Sequence, residues 1–352
     1  FIRQMQRIPL DSIAYEEADI MLAVRYLDQL AQREGKPLVI CMALGSNTGG
    51  HTGENALSLY LNYVCRKVGR AVAVAAGNEG NKGHHYFGVV PRDQDYTEVE
   101  LRVGAGEKGF QVNLWGNAPD LFSVEVIAPS GEKIPRFVAR KLDRQRYDFV
   151  FESTILDIQY ELSEIVSGDQ RLLLAFQNPT PGIWMIRVYA EGNLENTFHM
   201  WLPVTGFISD ETYFLRPDPD TTVTEPGNAE GVLTFSGYDA RNGSIWYDSG
   251  RGYTRNGRIK PDLAAPAVEE AAVDLRGRVT TLTGSSAAAA LGAGACALLL
   301  EWGIVRGNVP AMDSITIQRY LIRGANRLNI FDYPNKTWGY GSLDLYDAFR
   351  SV

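Results

Sequence analysis

The chain has 352 residues, 45% of them hydrophobic, enough for about two domains with substantial cores. A net charge of −8 with both signs interspersed argues against nucleic acid as a partner. The three cysteines, Cys41, Cys65 and Cys296, have no regular spacing and read as small buried hydrophobes rather than a disulfide framework, and no apolar run reads as a membrane span.

Phe1-Ile2-Arg3-Gln4-Met5 has neither a start methionine nor a signal-peptide pattern and reads as a cut edge. Residues 16–33 place Ile20, Val24, Leu27 and Leu30 at helical spacing. A buried strand follows over 38–44, then a helix over 56–68 and a second buried strand over 71–76 that runs into Gly77-Asn78-Glu79-Gly80. Alternating helices and apolar strands predict a parallel sheet covered on both faces.

After Tyr86 the pattern changes. Segments 98–103, 109–114, 121–128, 147–153, 171–176, 183–190 and 196–204 read as short strands, split by turns such as Pro129-Ser130-Gly131. They predict a β-sandwich or jelly roll. Trp115, Trp184 and Trp201 fall in or beside these strands and read as core aromatics, with a sugar-binding platform as the competing reading. Arg136, Arg140, Lys141, Arg144 and Arg146 read as a solvated face rather than a phosphate site. Asp218-Pro219-Asp220 reads as a turn, with a calcium loop as the alternative.

The α/β pattern resumes near Thr221. Lys260-Pro261-Asp262-Leu263-Ala264-Ala265-Pro266 reads as a strand closed by a proline turn. Thr283-Gly284-Ser285-Ser286-Ala287-Ala288 then opens a helix of small residues ending in Leu298-Leu299-Leu300. A hydroxyl behind a glycine at a helix start brings a serine Oγ, backbone donors and the positive helix end together. The competing reading is a helix cap and packing seam. The Asn78 amide, at the C-terminal edge of a strand, is placed to donate to an oxyanion.

Together these residues resemble the subtilisin-like serine proteases, or subtilases. Residues 75–80 match the family's Ala-Ala-Gly-Asn-Glu-Gly strand, and 260–266 match its Lys-Pro-Asp-x-x-Ala-Pro segment. Ala43-Leu44-Gly45 matches its Ser-Leu-Gly substrate strand in two positions of three, and Gly284 to Ala288 matches its Gly-Thr-Ser-x-Ala motif apart from Ser285. The resemblance implies an α/β fold, a mostly parallel sheet flanked by helices, with an inserted all-β jelly roll or sandwich. It implies domains at 1–90 and 216–352 for the subtilase part and 91–215 for the insertion. Ser286 would be the nucleophile and Asn78 the oxyanion-hole side chain. Ala43, Leu44 and Gly45 would pair with an extended substrate, and Ala75, Ala76 and Gly77 would form the wall of the specificity pocket.

The family's Asp and His both precede the substrate strand, yet residues 1–37 contain no histidine. Of the four histidines, His51 lies on the wrong side of that strand and reads as a loop residue near the cleft. His84 and His85 read as surface or domain-junction residues and His199 as a strand residue of the insertion. An N-terminal fragment or propeptide that carries the rest of the triad is therefore an expected partner, beside the peptide or protein substrate. Three further positions depart from the family: Ala267 where glycine is usual, Thr283 where asparagine is common, and Leu291 where histidine is frequent.

The insertion, with Leu300 to Asn308 and Tyr333 to Gly341, resembles the clostridial Csp-type group. Some members of that group activate a cortex-degrading enzyme in spore germination, and others are catalytically dead signalling partners. The expected function is a serine endopeptidase, with a pseudoprotease as the alternative. No cofactor is assigned, calcium being a family option, and a secreted or spore-associated location rather than a cytoplasmic one follows from the resemblance.

Overall fold

The stripe read over 16–33 forms the helix Glu17–Glu34, in a computed structural model that describes residues 14–136, 144–191 and 195–351. Val24 is buried, and so is Asp28, one turn further on. Asp28 accepts hydrogen bonds from Arg70 Nε and Lys67 Nζ, both at 2.7 Å, which satisfies a carboxylate that the apolar stripe left unread.

This helix belongs to one of two compact units, built from Ala14–Asn81 and Asp220–Val352; Lys82–Pro219 form the other. In the first unit Leu38–Met42, Arg70–Ala75, Leu233–Asp239 and Leu263–Pro266 pair in parallel, in that spatial order. Ile40 stands opposite Val72, Leu233 opposite Ala73 and Phe235 opposite Leu263. Side chains alternate across the pleat. Val72 and Val74 join Leu57, Leu61 and Val64 of the helix Ala56–Cys65 in one core. Ala71, Ala73, Leu233 and Phe235 join Ala288, Ala295 and Leu299 of the helix Ser285–Leu300 in another. That helix rides close to the sheet because its residues are small: a Cβ on Gly292 would lie 2.2 Å from Phe235 Cε2.

With the turn Glu301–Val305, this helix makes a 21-residue element, Ser285–Val305, apolar and long enough to cross a membrane by length and composition. The sequence reading passed over it, although Thr283 to Leu300 carries no charge. Its buried side chains lie in the core above. Cys65 and Cys296 are buried as expected, and burial pushes both thiols up to about 12. Cys41, by contrast, is exposed on the strand Leu38–Met42.

The second unit is a two-sheet antiparallel sandwich. One sheet runs His85–Val89, Thr197–Trp201, Gly109–Gly116, Gln170–Gln177, Ile155–Glu161, Arg144–Asp148. The other runs Tyr213–Phe214, Tyr96–Val103, Gly182–Glu191, Leu121–Ile127, Lys133–Ile134. Trp184, Phe122, Phe176, Phe198 and Tyr160 fill the core between them.

The strand His85–Val89, absent from the sequence reading, pairs with Thr197–Trp201 and moves the start of this unit ahead of the expected break after residue 90. His84 and His85, a few residues past the boundary between the units, are buried, so of the two readings the surface one is removed. Ile155–Glu161 was also missed, although Leu156, Ile158 and Tyr160 alternate inward around Asp157. The strand expected over 147–153 lies earlier, because a turn closes where the Phe149 N–H donates to the Thr154 carbonyl.

Trp115, Trp184 and Trp201 are all buried, which removes the sugar-platform reading. Arg136 pairs with Glu191 at 2.7 Å and Arg146 with Asp148 at 3.5 Å, as a solvated face would; Arg140 and Lys141 lie outside the described residues. Asp220 pairs with Lys336 at 2.6 Å, and no cluster of metal-ligating side chains occurs among the described residues.

Candidate active site

Small residues at a helix start fix the centre of this site. Gly284 caps the helix Ser285–Leu300 with φ of 147°, a conformation that side-chain-bearing residues rarely adopt. Its N–H donates to the Ala267 carbonyl at 2.8 Å. Ala267, in the place of the family's glycine, is fully buried and takes no positive φ, so its extra methyl is absorbed without backbone strain. Thr283 Oγ1 accepts the Glu269 N–H at 2.9 Å and ties down the base of the hairpin Glu270–Val273/Val279–Leu282. Leu291, the third departure, is 43% exposed on the helix.

Ser285 then meets Asn78 from the far end of the sequence. The Ser285 N–H and Oγ–H both donate to Asn78 Oδ1, at 3.1 and 2.8 Å, and Ser285 Oγ accepts the Gly77 N–H at 3.1 Å. A backbone N–H is an obligate donor, so the Asn78 atom facing it must be the oxygen. The other amide atom is therefore the nitrogen, and it and the Ser286 N both lie within 4 Å of where a Cβ on Gly284 would stand. Ser285 is 1% exposed and does the anchoring, whereas Ser286 is half-buried. The Ser286 N–H, in the first turn of the helix, has no acceptor among the described residues. Sequence reasoning treated Ser285 only as a departure from threonine; the retained hydroxyl was the available signal.

Ala75 and Ala76 are buried at the end of the strand Arg70–Ala75, and Gly77 is half-buried, its carbonyl accepting the Gly250 N–H at 2.8 Å. Ala43 and Leu44 are exposed just beyond Leu38–Met42 and Gly45 is half-buried. Ser46 exchanges both backbone hydrogen bonds with Glu225, at 2.9 and 3.0 Å. Glu225 is itself buried, and burial pushes its carboxyl group up to about 7. Nothing in the sequence reading singled it out.

Lys260 and Asp262 explain why the strand Leu263–Pro266 is so firmly placed. Both are 1% exposed; Lys260 Nζ donates to Asp262 Oδ2 and to the Val232 carbonyl, each at 2.7 Å. Asp262 also accepts the Thr234 N–H and Gln318 Nε2, both at 2.6 Å.

Among the described residues of its own unit, no histidine hydrogen-bonds to Ser286. His51 is fully buried, not at a cleft surface, with φ of 52°. Its Nδ1 faces the Val223 carbonyl at 2.9 Å and its Nε2 the Asn47 carbonyl at 3.4 Å. His84, His85 and His199 belong to the sandwich unit, where His85 Nε2 lies 2.9 Å from His199 Nδ1 and both rings stack with Trp201.

A glycine-capped helix start, an asparagine amide hydrogen-bonded to it and a parallel sheet beneath them define a known class of protein. The family model for subtilases matches residues 166–341, and the chain belongs to the subtilase family. It is similar to the solved structure of the Clostridium perfringens CspB protease, with 31% identity and a TM-score of 0.89, over 96% of this chain and 70% of that one. The prenylagaramide maturation protease PagA is 25% identical over 37% of this chain and 46% of its own, with a TM-score of 0.32. No curated protein matches.

Proposed function

We propose that the chain is the nucleophile-bearing part of a subtilisin-like serine endopeptidase, cleaving peptide bonds through an acyl-enzyme at Ser286. The observation that carries this reading is the fixed orientation of Asn78: with Oδ1 held by Ser285, its NH₂ and the Ser286 N–H remain to receive an oxyanion. Ser286 Oγ attacks the scissile carbonyl as its proton passes to a histidine, and the negative oxygen is held by those two donors. Collapse expels the amine, which takes the proton from the imidazolium, and water then hydrolyses the ester by the same steps in reverse. The substrate pairs as an extended strand with Ala43-Leu44-Gly45.

In this reading the histidine and its aspartate are supplied by an N-terminal fragment or propeptide that docks on this chain. Support for this lies on the nucleophile's own helix, where Ala290, Leu291, Gly294, Ala297 and Leu298 form an exposed apolar stripe at helical spacing. The strand Leu38–Met42 also stands at an edge of its sheet.

The test is an intact mass after treatment with a biotinylated fluorophosphonate, on the protein expressed with its upstream coding region. Stoichiometric labelling is expected, and Ser286→Ala abolishes it. An unlabelled wild type would overturn the enzyme reading and make the chain a binding or signalling partner.

A further inference from the structure

Thr224 is buried between the segment proposed to pair with substrate, 43–45, and the segment expected to wall its specificity pocket, 75–77. Its N–H donates to the Ala76 carbonyl at 3.1 Å, and its own carbonyl accepts the Gly227 N–H at 2.8 Å. The backbone is therefore fixed beside Ala75-Ala76-Gly77. Its side chain is 2% exposed and lies hard against Gly45 on one side and Gly77 on the other. A Cβ on Gly45 would fall 2.1 Å from Thr224 Oγ1, and one on Gly77 would fall 2.6 Å from Thr224 Cγ2. Neither glycine can acquire a side chain while this threonine stands.

With 43–45 pairing to substrate and 75–77 as the pocket wall that the subtilase resemblance implies, the side chain that precedes the scissile bond enters between them. Here that slot already holds a side chain. A β-branched residue has few χ1 options, and one anchored on both sides by backbone hydrogen bonds does not swing away readily. Among the described residues Thr224 Oγ1 has no hydrogen-bond partner, so valine, of the same shape, would be at least as stable there. What the position supplies is bulk.

We infer that Thr224 plugs the specificity pocket and restricts the residue before the scissile bond to glycine, alanine or serine. The inference rests on the proposed roles of 43–45 and 75–77, but its test does not need the serine to react. Fluorescein-labelled peptides that differ only at that residue, alanine against phenylalanine, are titrated by anisotropy into the Ser286→Ala protein expressed with its upstream coding region. The alanine peptide is expected to bind about tenfold tighter or more, the scale on which pocket size discriminates.

Adding Thr224→Gly, or Thr224→Ala should the glycine variant not fold, is expected to narrow or reverse that ratio, while Thr224→Val preserves it. Equal binding of the two peptides by the Thr224 protein, an unchanged ratio in the opened variants, or no binding of either peptide would overturn the inference. An alanine preference that survives in a wild type refractory to fluorophosphonate would sink the enzyme reading alone.

Discussion

The two units fill their cores with different materials. The sandwich buries Trp184, Phe122, Phe176, Phe198 and Tyr160, large rings that supply much area per residue. The subtilase unit packs its central helix through Ser285, Ala287, Ala288, Ala289, Gly292 and Ala295. Small residues bury less area, but they let a helix backbone approach a sheet closely, and Asn78, Gly77 and Ser285 are joined across that approach. One unit is built for cohesion and the other for placement of backbone donors.

The largest expected effects separate these two strategies. Lys260→Met leaves Asp262 as a buried carboxylate without its cation, at a cost of about 3–5 kcal/mol. Trp184→Ala, in the sandwich, opens a cavity in a fully buried site at a similar cost of about 3–5 kcal/mol. Denaturant midpoints give both values. If the comparison is right, adding Asp262→Leu to Lys260→Met recovers much of the loss, because the damage is electrostatic, whereas no second polar change rescues Trp184→Ala. A double variant no better than Lys260→Met would show that the ion pair is not what the strand depends on.

The same contrast explains what was legible in the sequence. Gly284 to Ala288 and Ala75 to Gly80 are contiguous, so their residue types alone carried the helix start and the strand end. The paired acids and bases at Asp28–Arg70 and the Thr224 wedge join residues distant along the chain, and no local period reports such contacts. Among strands, His85–Val89 was hidden by Gly88, whose missing side chain reads as a turn but makes room for the Phe198 ring, 2.2 Å from where a Cβ would stand. Ala267 and Thr283, two departures from the family beside the nucleophile, are accommodated by burial and by a hydrogen bond from the Glu269 N–H.

Asn78 is where placement matters most. In the assembled protease, Asn78→Ala is expected to lower kcat by ~10²–10³ with KM nearly unchanged, because the lost donor acts on the transition state. Asn78→Asp sharpens the point: it keeps an acceptor for Ser285 yet has no N–H to offer the oxyanion. Near-wild-type kcat in Asn78→Asp would mean that holding Ser285, not donating to substrate, is the role of this side chain.

The smallest expected effect is a pH dependence specific to the subtilase unit. Glu225 is 4% exposed, and its carboxyl group accepts the Gly53 N–H at 3.2 Å and Ser58 Oγ–H at 3.0 Å. Burial lifts its pKa from 4.5 to about 7 against the pull of those hydrogen bonds, and the charge of Glu17 adds to the rise. Between these values the folded protein holds a proton that the unfolded chain has released. The stabilisation is therefore fully present below about pH 4.5 and is lost as pH rises through about 7, by up to about 3 kcal/mol. Glu225→Gln has nothing to titrate, so its stability relative to wild type should climb across that window. Urea midpoints of both proteins at pH 5, 6, 7 and 8 measure the difference, and parallel curves would rule out a raised carboxyl at this position. Because the Glu225 backbone pairs with Ser46, beside the exposed Leu44, any loosening at high pH falls on the segment that would align substrate.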